Sequence, residues 1–252
     1  MMKVNIIGAG NVATHLANQL KNLVKISTVY SRNFTNASQL ALDLNATAVS
    51  NLLEIDFKAD LTIIMINDIS IKEVAVQLPK HLCVVHTSGS IPIEVFSKFE
   101  NCGILYPLQT FSKDTKVDIS SIPFLLEANN THFEKKLIEF CESYLSKNIH
   151  LTTSQLRSEI HLSAVISNNF ITHLLGESES ILKANGLSLN ILGPLVNETI
   201  KKSFKIGPKN AQTGPAKRND VQVMEKQFEK ISNPKLKQIY KLMSELIQEN
   251  NC

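Results

Sequence analysis

Apolar residues follow two regimes along this chain. Over the first 150 residues they come as short runs, at 4–7, 26–30, 61–66, 83–85, 104–106 and 124–126. Runs this short and this uniformly apolar predict parallel strands covered on both faces. Helix signals lie between them. Ser70 with Glu73, and Thr131 with Glu134, have the spacing of capping boxes. Pro92, two residues after Ser90, suits a helix start. Strand and helix in alternation predict an α/β fold, a Rossmann-like doubly wound parallel sheet.

After about His150 the regime changes, and from Ser154 onward no strand is expected. Residues 154–185 read as one long helix closed by Gly186. A second helix is expected over 189–204, then a Gly/Pro-rich loop over 207–215, then helices over 221–231 and 234–248. Leu236, Ile239, Tyr240, Met243, Leu246 and Ile247 keep a 3.6-residue period in the last of these. The expected organisation is therefore a nucleotide-binding domain over 1–150 and an all-α helical domain over 151–252.

Composition narrows the function classes. With 43% hydrophobic and 19% charged residues among 252, the chain has material for a sizeable core. The net charge is only +3, Trp is absent, and no lysine or arginine block is interleaved with aromatics, which argues against nucleic-acid binding. No apolar run approaches the ~20 residues of a bilayer span, and Asn5, Gly8 and Gly10 interrupt the apolar start, so neither membrane insertion nor a signal peptide is expected. Cys83, Cys102, Cys141 and Cys252 lack metal-ligand spacing. No metal site is expected, and a reducing, cytoplasmic setting suits the thiols.

The first run feeds directly into Gly8-Ala9-Gly10-Asn11-Val12-Ala13, and a helix pattern follows. This is the dinucleotide-binding fingerprint between strand and helix. Gly8 allows the tight turn, Gly10 lets a pyrophosphate approach the backbone, and Ala13 lets the helix pack closely. The phosphates would rest on the free N–H groups of the helix start, including those of Asn11 and Val12. About twenty residues on, the second run ends in Ser31-Arg32. An NAD site usually places an acid there for the ribose 2′-hydroxyl. A hydroxyl and a guanidinium instead suit a 2′-phosphate, so the cofactor expected is NADP(H). The other reading of Arg32 is an ordinary surface arginine.

Three further groups lie where ligands gather. Asn67 and Asp68 follow the run at 61–66, and either contact the cofactor ribose or simply begin the next loop. His86-Thr87-Ser88-Gly89-Ser90 follows the run at 83–85. Its donors suit a substrate oxygen, with Ser90 as helix cap and Ser88 and Gly89 facing the ligand. In the long helix, His161 and Asn168 are seven residues apart and share one face if the period is unbroken. They read either as proton donor and substrate-orienting amide or as a satisfied polar pair in the core.

Taken together, these residues resemble a family that pairs an N-terminal Rossmann-like domain with a C-terminal domain of unknown function. Its members carry the name of NADP oxidoreductases by inference. The matching pieces are the fingerprint, Ser31-Arg32, His86–Ser90, Tyr106-Pro-Leu-Gln-Thr-Phe111, Ser167-Asn-Asn-Phe170 and Thr213-Gly-Pro-Ala-Lys-Arg-Asn-Asp220. The chain is more distantly similar to pyrroline-5-carboxylate reductases, deazaflavin-dependent NADP reductases and β-hydroxyacid dehydrogenases. The resemblance implies a helical dimerisation domain, a homodimer, and an active site between the domains. Two places depart from the family: Tyr106-Pro107 stands where His-Pro is frequent, and Arg218-Asn219-Asp220 where Arg-Gly-Asp is frequent. The lysine followed four residues later by asparagine in the β-hydroxyacid dehydrogenases is replaced here by His161 and Val165. The expected function is hydride transfer from NADPH to a C=O or C=N carbon of a small polar substrate. His161 would donate the proton, Asn168 orient the substrate and Ser88 hold its polar end. The alternative is a non-catalytic NADP(H)-binding sensor or partner-binding module.

Overall fold

The computed structural model describes residues 1–113 and 115–249. Cys252, the fourth cysteine, lies outside them. The chain divides into two compact units, Met1–Ile166 and the remainder from Ser167. The boundary expected at 150/151 falls within the last strand of the sheet, and the first unit continues to Ile166.

In the first unit the elements run β1 (Lys3–Ile7), α1 (Asn11–Leu20), β2 (Lys25–Tyr30), α2 (Phe34–Leu44), β3 (Thr47–Val49) and β4 (Leu61–Ile64). They continue with α3 (Asp68–Gln77), β5 (Cys83–His86), β6 (Asn101–Pro107), β7 (Phe124–Ala128), α4 (Thr131–Tyr144), β8 (Ile149–Leu151) and α5 (Ser154–Ala164). The eight strands form one sheet in the order β3-β2-β1-β4-β5-β6-β7-β8. All neighbours are parallel except β6 and β7, which pair antiparallel with Leu105 opposite Leu126. This is the Rossmann-like architecture expected from the alternating runs. The chain reverses its winding between β1 and β4, which opens a crevice at the carboxyl edge.

Alternation along each strand builds a core on both faces. Val4, Ile6, Ile63, Val85 and Leu105 join Leu16 and Ala17 of α1 and Phe133 of α4 on one side. Ile7, Ile64, Val84 and Cys102 join Ile71 of α3 and Phe96 on the other. Asn5, fully buried, is held within the sheet: its amide donates to Thr62 Oγ1 (3.2 Å) and its carbonyl accepts from Thr28 Oγ1 (2.7 Å).

Several local expectations are corrected. β3 and β8 were not expected; each has three residues and is partly exposed, too short for a period to register. The caps of α3 and α4 fall earlier than the capping-box spacing implied. α3 begins at Asp68, so Ser70 is already inside it. α4 is capped by Asn130, whose side chain accepts from Phe133 N, so Thr131 is its first residue. The segment after Pro92 is a single 3₁₀ turn, Ile93–Phe96.

The long helix expected over 154–185 is interrupted. α5 passes into a π turn, Val165–Asn169, and then α6 (Phe170–Lys183). Gly186 does close it, with φ +70°, its N–H on Lys183 O and that of Leu187 on Leu182 O, a Schellman ending. The second unit continues with a 3₁₀ turn (Leu189–Leu192), α7 (Gly193–Ile206), α8 (Pro208–Ala211), α9 (Val221–Lys230) and α10 (Pro234–Glu249). α8 lies in the stretch expected to be loop. Among the described residues of this unit only Ala216 is buried, at 8%. No helix among the described residues is long and apolar enough to cross a membrane.

Candidate active site

The loop from β1 to α1 fits a pyrophosphate. Gly8 has φ +127°, and a Cβ there would lie 2.0 Å from the Met65 carbonyl oxygen. Only glycine tolerates both conditions. A Cβ on Gly10 would meet nothing within 4 Å, and Gly10 and Asn11 are exposed at the start of a ten-residue helix. The backbone N–H groups there are open to an anion. Ala13 is fully buried against the sheet, and Val12 packs on the same core. The segment after β6 lies over this helix start. Asn11 Nδ2 donates to Phe111 O (2.9 Å), His15 Nε2 is 2.9 Å from Ser112 O, and the His15 and Phe111 rings are 5.2 Å apart.

At the end of β2, Ser31 Oγ accepts from Asn33 N (3.3 Å), and Asn33 caps α2 by accepting from Thr35 N (3.0 Å). These bonds hold the turn that carries Arg32. The Arg32 side chain is exposed, with no hydrogen bond or ion pair among the described residues. A guanidinium exposed at this strand end, unpaired among the described residues, could hold a phosphate group. At the end of β4, Asn67 takes the cap position of α3 without using its side chain, so it remains exposed. Asp68 accepts a short hydrogen bond from Ser90 Oγ, which ties the ends of β4 and β5 together.

The turn after β5 is held from within. His86 Nδ1 accepts from Ser88 N (3.1 Å), and Ser88 Oγ accepts from Ser90 N (3.1 Å) and Ile91 N (3.0 Å). Ser88 thus closes the turn, no helix begins there for Ser90 to cap, and Ser90 instead reaches Asp68. Burial, and next the Arg157 charge, push the His86 imidazole down to about 3. His86 is therefore a neutral, structural ring.

Gly89 brings this turn against α5. A Cβ on Gly89 would lie 2.6 Å from His161 Cγ and Nδ1, and 2.9 Å from Tyr106 Cζ. His161 Nδ1 is 2.9 Å from Tyr106 Oη, and the two rings meet edge-on at 81° with centroids 5.8 Å apart. Burial, and next the Asp68 carboxylate, raise the Tyr106 phenol above its ordinary range. The result is a protonated phenol bonded to an imidazole at the carboxyl edge of β5 and β6. Sequence reasoning singled out His161 but not its partner, because 55 residues separate them.

Asn168 lies in the π turn, exposed, with Nδ2 donating to Asn169 Oδ1 (3.3 Å). The wider turn breaks the 3.6-residue period from which a face shared with His161 was argued, so that spacing argument does not carry across it.

A second set of residues was missed altogether. Arg157 on α5 is fully buried and makes a short ion pair with Glu127 of β7. Arg157 also donates to Ile91 O (2.6 Å). Ser154 donates to Glu127 through N (2.9 Å) and Oγ (2.8 Å), and its Oγ accepts from Ile93 N (3.0 Å). This network fastens the first turn of α5 both to the sheet and to the turn beside Gly89. The one signal in the sequence was Glu127, a charged residue directly after the apolar run at 124–126.

The crevice, the glycine loop and the free arginine define a Rossmann-type dinucleotide-binding protein. Residues 122–247 match the family described as a domain of unknown function, DUF2520. The chain belongs to that family. No curated protein matches it by sequence. A protein from Bacteroides fragilis described as a "putative NADP oxidoreductase" is 34% identical, with TM-score 0.90 and 98% of each chain covered. A protein from Thermotoga maritima is 24% identical, with TM-score 0.82 and 98% of this chain and 99% of that one covered. The fold is also similar to a reductive aminase from Aspergillus terreus in complex with NADPH and ethyl levulinate. That chain is 14% identical, with TM-score 0.74 and coverage of 99% and 94%.

Proposed function

We propose that the protein is an NADP(H)-dependent oxidoreductase that reduces a C=O or C=N carbon of a small polar substrate. The observation that carries this reading is the Tyr106–His161 pair, packed on Gly89 at the edge where a dinucleotide's second half would end. The residues around Gly10 and Arg32 suit the pyrophosphate and the 2′-phosphate, and the name of the Bacteroides fragilis relative supports the same cofactor. When bound, the reduced cofactor supplies hydride. His161 is the proton source, as the imidazole that reaches this edge and bonds Tyr106. Ser88 contributes by shaping the turn, since its oxygen already accepts two backbone N–H groups.

NADPH consumption should be followed at saturating cofactor against small ketones, keto acids and cyclic imines. His161→Asn should lower turnover by about 10²–10⁴-fold with NADPH affinity nearly unchanged. A wild-type protein that consumes NADPH with no member of the panel removes this reading.

The protein is also proposed to work as a homodimer in the cytoplasm. Among its described residues the second unit buries only Ala216, and Ile181, Leu195, Phe204 and Leu246 are exposed, Phe204 at 90%. Apolar helix faces of this extent call for cover. Cys83, Cys102 and Cys141 are free thiols, which suits a reducing compartment. Light scattering at micromolar concentration should give twice the 28.0 kDa of one chain; the single-chain mass rules the dimer out.

A further inference from the structure

We propose that Tyr106, rather than His161, hands the proton to the substrate, and that His161 restores it from solvent. This rests on the reductase reading above and divides the labour within its proton source.

The argument begins with hydrogen-bonding capacity. A phenol has one donor and two acceptor sites. The hydrogen bond between Tyr106 Oη and His161 Nδ1, at 2.9 Å, can run either way with the imidazole tautomer. When both imidazole nitrogens carry protons, Nδ1 must donate to Tyr106 Oη. The phenol hydrogen is then free, and no other partner for Oη exists among the described residues. Tyr106 is the last residue but one of β6, at the edge that lines the crevice. Burial and the Asp68 carboxylate both keep its proton in place until a stronger base develops beside it. The His161 ring is only part-buried, and its Nε2 has no partner among the described residues. That nitrogen is open to water. Gly89 completes the arrangement, since any side chain there would strike both rings.

NADPH, when bound, would supply the hydride, and with it both electrons, that reduces the acceptor carbon. Tyr106 Oη gives its proton to the oxygen or nitrogen that receives the π electron pair. The Tyr106 oxygen regains a proton from His161 Nδ1. The imidazolium becomes neutral imidazole, which keeps its Nε2 proton, and Nδ1 takes up a proton from the water that enters as product leaves.

The test compares two acceptors. A ketone or neutral cyclic imine needs a proton, whereas an N-methylated cyclic iminium, already cationic, does not. Tyr106→Phe should lower turnover of the neutral acceptor by about 10²–10⁴-fold and leave that of the iminium within about threefold. Retained turnover of the neutral acceptor overturns the proposal. So does an equal loss on both acceptors, which would mark a packing role. If the wild type reduces neither, the reductase reading itself falls and takes this assignment with it.

Should Tyr106→Phe not fold, fluorotyrosine at position 106 keeps the shape and makes the phenol more acidic. The alkaline limb of the pH–rate profile should then move to lower pH, and an unmoved limb counts against Tyr106. Asp68 from α3, Arg157 and His161 from α5 are the charged or titratable groups that bear on this phenol, and all remain in place. A readout without cofactor or substrate completes the test. In nitrogen NMR of the free protein, the titration of the His161 ring should shift in Tyr106→Phe. An identical titration in the two proteins overturns the coupling on which the relay depends.

Discussion

Arg157 and Glu127 form an ion pair that joins α5 to β7, with the arginine side chain fully buried and the carboxylate nearly so. Two charges taken out of water need each other. Removing one strands the other, whereas removing both restores an ordinary apolar contact. The pair also sets the angle at which α5 leaves the sheet, and so where His161 sits relative to Gly89. Arg157→Met alone should cost about 3–5 kcal/mol of stability in urea unfolding. Glu127→Leu combined with Arg157→Met should cost less than the two single changes summed. Strict additivity would mean the charges do not interact in the folded state.

His86 should make the protein acid-sensitive. Its imidazole is held down to about 3, so the folded state does not take up the proton that the unfolded chain binds below ~6.5. The stability is therefore complete above about pH 6.5 and is lost as pH falls from there toward 3. Between pH 7.5 and 5 the loss from this one group is roughly 2 kcal/mol. His86→Leu leaves Ser88 N without its acceptor and should cost about 1–3 kcal/mol at pH 7.5. It should also flatten the acid dependence by the amount stated. Unfolding curves of both proteins at the two pH values decide it.

Gly8 and Gly10 should respond oppositely to alanine. At Gly8 the new methyl would enter the Met65 carbonyl at a positive φ, so Gly8→Ala should lower stability by 3 kcal/mol or more, on the order of a severe overpacking. At Gly10 nothing stands within 4 Å, so Gly10→Ala should melt within a degree or two of wild type. It should nonetheless weaken NADPH binding at least about tenfold, because the methyl occupies the phosphate's approach. Unchanged binding in Gly10→Ala would place the cofactor elsewhere.

Arg32 should set the choice between cofactors. Its guanidinium is exposed and unpaired among the described residues at the end of β2. A charged hydrogen bond to a 2′-phosphate contributes roughly 1.5–3 kcal/mol, or about 10–150-fold in affinity. Calorimetry should find NADPH bound more tightly than NADH, with Arg32→Ala narrowing the gap by that factor and high salt reducing it further. Equal affinities in the wild-type protein would remove the role given to Ser31 and Arg32.

Much of the nucleotide-binding half was legible because its signals are local. A buried parallel strand is an apolar run, and a phosphate loop is a spacing of small residues between strand and helix. Both can be read within a dozen positions around Gly8–Ala13. Legibility failed where neighbouring residues compete for one role. Asn129, Asn130 and Thr131 can each cap a helix, and Asn130 does so because β7 ends just before it. It failed also where an element is too short for a period, as in Thr47–Val49 and Ile149–Leu151. The π turn at Val165–Asn169 left no mark in an otherwise helical pattern.

The amino-acid sequence alone determined the alternation of the longer strands and helices, the glycine loop, and the basic residue at the end of β2. Each depends on the conformational preferences and burial of residues close together in the chain. Only the tertiary structure decided that Tyr106 bonds His161, that Glu127 meets Arg157, and that Ser88 rather than Ser90 holds the turn between them. Those pairings depend on which edge of the sheet α5 crosses. No local pattern encodes that crossing, because it is set by how the whole core closes.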